Sequence, residues 1–233
     1  CNSGFTSTAS GTDASIACRT QAQGSTKFRA TTGALARDLR RRTVRQVFDG
    51  KDPQMKRLLN DGYDAVEELL DGYVKAHAAV VKLADNERVV VRTTLSDEPK
   101  VGIVFGGGSG HEPLFLGYVG EGVADAAVIG NVNTSPDPIA CYDAVTAVDQ
   151  GRGCLFLYGN YQGDVLNFDM GAEMAAEDGI RVETVLITDD VYSAKDRADR
   201  RGVAGDVIVL MAACAVANTG ADLDTVKAAA EKA

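Results

Sequence analysis

His111 and Asp164 are the residues whose types and surroundings point to chemistry. His111 follows the small-residue run of Gly106-Gly-Gly-Ser-Gly-His-Glu-Pro113, and the chain holds only one other histidine, His77. Glycine is placed where a chain must turn sharply or lie close to a ligand, and it serves poorly as regular structure. Asp164 closes a second polar stretch, Gly159-Asn-Tyr-Gln-Gly-Asp164. An imidazole titrates near neutral pH, and a carboxylate that orients or assists it completes an acid/base pair. Each residue also has a plainer reading. His111 could be a solvated loop histidine, and Asp164 could cap a helix starting at residue 165.

Three familiar glycine motifs fail here. A P-loop needs Gly-Lys-Ser/Thr after its glycines, and Gly-His-Glu follows instead. The dinucleotide fingerprint needs a third glycine three residues after the second; Gly106 and Gly108 lead to His111, and Gly108 and Gly110 lead to Pro113. A nucleophile elbow at Ser109 would need glycine where His111 stands.

The elements around these loops alternate. The apolar residues 101–105, 126–129, 154–158 and 182–187 read as buried strands, and Val89-Val-Val91 lies in an extended stretch over 83–95. Val66, Leu69, Leu70, Tyr73 and Val74 recur at helical spacing, with Asn60 or Asp61 as the cap and His77 near the helix end, where the dipole suits it. Thr134-Ser-Pro-Asp-Pro138 opens a helix with a Ser/Thr cap and proline in the first turn. Further helices are expected over 165–176 and 222–232, and an apolar segment over 207–216. Strands alternating with helices predict an α/β fold, a mostly parallel sheet with flanking helices and right-handed crossovers. Ligands gather beyond the C-terminal ends of such strands. Both polar loops follow strands directly, so His111 and Asp164 are expected over one pocket.

The bulk numbers bound the rest. At 233 residues the chain has room for one or two domains and a sizeable core. No apolar run is long enough to span a membrane. The net charge of −9 argues against nonspecific nucleic-acid binding. Five scattered cysteines without Cys-x-x-Cys spacing fit reduced cytoplasmic thiols better than a disulfide framework or zinc site. Cys141 and Cys154 read as small hydrophobes.

Residues 1–54 differ from the remainder. They carry nine Lys/Arg against four Asp/Glu, almost lack large aliphatics, and end in an Arg-rich run. Such a segment is expected to be disordered. The first methionine is Met55, which suggests a natural start there and upstream translated sequence before it. A processed lipoprotein terminus at Cys1-Asn-Ser-Gly4 and a transit peptide remain alternatives.

Several motifs occur together in order. They are Gly106-Gly-Gly-Ser-Gly-His-Glu-Pro113, Gly117-Tyr-Val-Gly120, Thr134-Ser-Pro136, Asn160-Tyr-Gln-Gly-Asp164, Asn167-Phe168, Asp189-Asp-Val191 and Arg200-Arg-Gly-Val-Ala-Gly205. The chain from Met55 onward resembles the K subunit, or K domain, of dihydroxyacetone kinases. That resemblance implies the first α/β domain of the K fold over 55–233. It implies phosphorylation of dihydroxyacetone or a similar short ketose. ATP and Mg²⁺ would sit on a separate L domain or subunit, or a phosphotransferase relay would supply the phosphate, so no cofactor is expected on this chain. A cytoplasmic homodimer is implied as well. Carried over by motif, Gly108, Ser109, Gly110, His111 and Asp164 bind the ketose, His111 is the general base, and Asp164 hydrogen-bonds the substrate and assists as acid/base.

There are two departures. Many members have lysine where Gly159 stands, so one substrate-facing donor is missing. The Tyr158-Gly-Asn-Tyr161 form, with Phe105 and Leu114-Phe-Leu116, resembles members acting on erythrulose-like four-carbon ketoses. The family also anchors its ketose covalently, as a hemiaminal on a histidine of a second α/β domain. The sequence stops at Ala233 without that motif, which implies a truncated chain with weak or no activity. Two other readings compete: a non-catalytic ketose-binding regulator or coactivator of the same family, and a nucleotide-binding α/β enzyme, against which the absent fingerprint counts.

Overall fold

A computed structural model describes residues 59–233. The expectations for residues 1–54 and for a start at Met55 lie outside the described residues.

Six strands form one sheet in the order β1-β2-β4-β3-β5-β6. They are β1 (Val81–Leu83), β2 (Val89–Arg92), β3 (Gly102–Ser109), β4 (Ala126–Val132), β5 (Cys154–Gly159) and β6 (Val182–Ile187). β3, β4, β5 and β6 are mutually parallel, as the alternation predicts. The stretch expected over 83–95 is instead a hairpin: β1 and β2 pair antiparallel, and β2 also runs antiparallel to β4. Asn86 makes the turn, its side-chain oxygen accepting from Arg88 N at 3.0 Å. This local bond competes with strand pairing.

The helices are α1 (Ala65–Ala76), α2 (Pro138–Val148), α3 (Gln162–Glu177), α4 (Gly205–Ala217) and α5 (Leu223–Lys232). The core divides by strand alternation. Ile103, Phe105, Leu155 and Leu157 face α1, α4 and α5. Val104, Phe156, Tyr158 and Val128 face α2 and α3. With both faces covered, the parallel strands need continuous apolar runs, as in Cys154-Leu-Phe-Leu-Tyr158. Each large aliphatic or aromatic side chain taken fully out of water contributes about 1.5–3 kcal/mol.

Three helix starts differ from expectation. Asp64, not Asn60 or Asp61, holds the N-cap position of α1. Asn60 instead donates to Glu68, and Asp61 accepts from Tyr63 N. Asp137 caps α2 by accepting from Ala140 N at 2.9 Å, with Pro138 in the first turn as expected. The third, α3, begins at Gln162, because extended Tyr161 takes the cap position. Asp164 is therefore inside the first turn and is not an N-cap. Asp222 caps α5 through Thr225 N at 2.8 Å. His77 closes α1 and packs its ring on Tyr73, 4.4 Å between centroids, consistent with a structural role.

At the N-terminal edge of the parallel strands, Asp125 is buried and accepts from Lys100, Arg92 and Ile103 N. Among the described residues no helix is long and apolar enough to cross a membrane.

Candidate functional site

Three of the four glycines before His111 are not in a loop: Gly106, Gly107 and Gly108 continue β3 and pair with Val128, Ile129 and Gly130 of β4, while Gly110 turns out of the strand with φ 99. They are glycines because other groups press on the strand there. A Cβ on Gly107 would lie 2.3 Å from Cζ of Phe115, and one on Gly108 would lie 2.7 Å from Thr134 N. Phe115 itself has φ 65 and ψ −83, a strained conformation for a bulky residue. Its ring also meets Phe105 edge-on at 5.0 Å and lies 6.1 Å from the His111 ring. The strand end is thus packed rigidly beneath the histidine.

His111 is solvent-exposed, and its Nδ1 lies 2.9 Å from Gly108 O. A carbonyl oxygen only accepts, so Nδ1 carries the proton in this bond. In the neutral ring Nε2 is then left with a lone pair, the form a general base needs. Ser109 is buried, and its hydroxyl donates to Gly130 O at 2.9 Å. Gly110 N donates to the Glu112 carboxylate at 3.0 Å. Ser109 therefore shapes the strand end, and the Gly110 amide already has an acceptor.

Asp164 comes from the neighbouring strand end. β5 leads into α3 on one face of the sheet, while the segment after β3 crosses to β4 on the other, where Phe115, Leu116 and Val119 join the core. Adjacent strands whose connections leave to opposite faces create the crevice in which open α/β sheets bind ligands. Asp164 is half-buried, and its Oδ1 is buried without a hydrogen-bond partner. Burial pushes its carboxyl up from the usual range, while the Ser135 hydroxyl and the His111 imidazole pull it part of the way back. The two residues singled out by sequence thus sit within electrostatic reach of each other at one edge.

Sequence reasoning missed a second acid at this edge. Asp206, in the first turn of α4, is 3% exposed, and its Oδ1 has no partner. Burial, then Asp189 and Asp164, push its carboxyl up to about 7. Asp189 is better served, accepting from Val203 N at 2.7 Å and Gly205 N at 2.8 Å. A lone acid opening the apolar run 205–210 was the available signal. The loop that leads into Asp206 is tied to the site by Asn160 Nδ2, which donates to Arg200 O at 2.8 Å, and by Tyr161 OH, which donates to Gly202 O at 3.1 Å. Among the described residues no group of three or more His, Cys, Asp or Glu side chains is arranged to hold a metal ion.

Fold and edge together define a three-layer α/β domain with a crevice where strands β3 and β5 end, lined by His111 and Asp164. The Dak1 domain family matches residues 71–233, and the chain belongs to it. It is 67% identical over 180 residues to the dihydroxyacetone-binding subunit DhaK of a PTS-dependent dihydroxyacetone kinase from Listeria innocua; the match covers 77% of this chain and 54% of that protein. The chain thus spans about half the length of that relative. The crystal structure of the dihydroxyacetone kinase of C. freundii superposes with a TM-score of 0.71 at 36% identity, over 77% of this chain and 34% of that one. A dihydroxyacetone kinase operon co-activator, Dha-DhaQ, superposes with a TM-score of 0.66 at 30% identity, over 71% of this chain and 51% of that one.

Proposed function

We propose that this chain forms the ketose-binding part of a dihydroxyacetone-type kinase. Gly108, Ser109 and Gly110 shape the strand end that the ketose lies against. His111 Nε2 takes the proton from the substrate hydroxyl as its oxygen attacks the phosphorus, and Asp164 hydrogen-bonds the substrate and assists in moving that proton. The phosphoryl donor comes from a partner, either an L subunit carrying ATP and Mg²⁺ or a phosphotransferase protein. The observation that carries this reading is the Nδ1 bond from His111 to Gly108 O, which leaves Nε2 as an acceptor on the edge Asp164 shares. Kinship with a dihydroxyacetone-binding subunit supports the choice of ligand.

Ketose binding without turnover is the second reading, favoured by the likeness to the co-activator. Mixing the chain with an L partner, ATP, Mg²⁺ and dihydroxyacetone, and following ADP release, separates the two. Ketose-dependent turnover that falls about 10²- to 10⁴-fold in His111→Ala, the range of general-base catalysis, supports the kinase. Ketose binding with no turnover supports the co-activator reading.

A further inference from the structure

Where β4 ends, its pairing with β3 slips. Gly108 pairs with Gly130, but Ser109 pairs with Val132, so Asn131 is an extra residue bulging from β4. Bulges bend or end a strand and are over-represented next to active sites. This one closes over the residue on which the histidine ring is seated. Asn131 O accepts from Thr134 N at 2.9 Å, and these two atoms stand 3.2 and 2.7 Å from where a Cβ on Gly108 would be. The Gly108 carbonyl in turn receives His111 Nδ1 at 2.9 Å.

Arg88, from the β1–β2 turn, grips the bulge from outside. Its Nη2 donates to Asn131 Oδ1 at 2.8 Å and to Glu67 Oε1 of α1, and its Nη1 reaches Gly130 O at 3.4 Å. The same Gly130 carbonyl takes the Ser109 hydroxyl from β3. The guanidinium fork thus joins α1, the bulge and the end of β4. The hairpin itself does not need this side chain. Ile129 N donates to the backbone carbonyl of Arg88 at 2.9 Å, and Asn86 Nδ2 ties the turn to Asp143 of α2 at 2.8 Å. The part-exposed ion pair with Glu67 adds little stability either.

We propose that Arg88 is a positioning residue for His111: its guanidinium, steadied by Glu67, holds the Asn131 bulge, and the bulge fixes the Gly108 carbonyl that keeps the proton on Nδ1 and leaves Nε2 as the acceptor. The effect on rate rests on the kinase reading; the positioning itself does not. Arginine suits this task because its planar fork makes several bonds in a fixed geometry, whereas a lysine ammonium is a compact charge on a flexible stem. Lysine at this position can keep the pair with Glu67 but cannot hold Asn131 and Gly130 O in the same geometry.

Imidazole ¹⁵N NMR of the full chain tests this. The chain has only two histidines, so His111→Gln assigns the signals. In wild type the neutral His111 ring carries its proton on Nδ1. In Arg88→Lys the balance shifts toward the Nε2–H form. With an L partner, kcat for ketose-dependent ADP release falls about 10- to 100-fold, the cost of a misplaced catalytic group, while KM for dihydroxyacetone changes little. Asn131→Ala, at an exposed position, reproduces both effects, and Asn131→Asp, which keeps the acceptor, behaves as wild type. The double variant Arg88→Lys/Asn131→Ala is no worse than either single one, because the two residues act as one unit. An Arg88→Lys protein with the wild-type tautomer balance overturns the proposal, and so does a double variant whose losses multiply. If Arg88→Lys fails to fold, the two Asn131 variants decide. If wild type turns over no ketose, the kinase reading fails while the tautomer balance still decides the role of Arg88.

Discussion

The two edges of the parallel sheet handle buried acids in opposite ways. At the N-terminal edge Asp125 is enclosed and fully partnered: Lys100 and one backbone amide meet Oδ2, and Arg92 meets Oδ1. At the C-terminal edge Asp164 and Asp206 each keep a buried oxygen without a partner. Buried polar groups are hydrogen-bonded in the great majority of cases, and orphaned ones mark strain, bound solvent or function. The difference separates an edge whose acid is bound into the fold from an edge whose acids keep a free oxygen, as the proposed ketose site requires. It also agrees with the rule that ligands collect where parallel strands end.

Asp125→Ala should show the largest effect. It strands Lys100, whose side chain is 5% exposed, as a buried charge without its counterion. Removing one partner of a buried pair costs about 3–5 kcal/mol, read as a drop in the urea midpoint. A loss below about 1 kcal/mol would mean that Lys100 escapes to water, and the first half of the comparison would fail.

Asp206→Asn should act in the other direction. The carboxyl is pushed up to about 7 in the fold, against roughly 3.9 in an unfolded chain. The native state therefore holds this proton more tightly. Asp206 contributes stability that is present below about pH 4 and lost as pH rises through about 7. Asparagine cannot ionise, so the variant should outlast wild type at pH 8, by an amount on the order of a few kcal/mol, and match it near pH 4. Thermal melts at both pH values check this. Equal destabilisation at both would show that the carboxyl has a partner that asparagine cannot replace.

What the sequence disclosed depends on how local the cause was. The parallel strands were legible because burial on both faces demands unbroken apolar runs, as at Cys154-Leu-Phe-Leu-Tyr158. The hairpin at Asn86 was missed because Val89-Val-Val91 dominates its window. The glycines of β3 were misread because their cause lies elsewhere in the chain: Phe115 and Thr134 occupy the space where side chains would be. His111 and Asp164 were legible as an imidazole and a carboxylate just past two strands, and the alternation of strands and helices is what put them on one edge. Asp206 was not, since one acid in an apolar run looks like an ordinary first-turn residue until its partners are counted.

Asp164→Asn is the smallest stability effect and the sharpest test of the comparison. Burial pushes this carboxyl up, and Ser135 and His111 offset only part of that. Ionised Asp164 is thus held at some cost, and its contribution to stability fades as pH rises through the carboxylate range and beyond. Asparagine removes that cost while keeping size and shape. At pH 7 the variant should be as stable as wild type or slightly more so, by less than about 1 kcal/mol, and the two should converge in acid. On the proposed kinase function, phosphoryl transfer to the ketose should nevertheless fall sharply, because asparagine cannot take up a proton. A residue that costs activity but not stability is what an edge kept for a ligand predicts. If Asp164→Asn instead lowers the urea midpoint as far as Asp125→Ala does, the two edges are built alike. The orphaned oxygens would then mark bound water and not a waiting substrate.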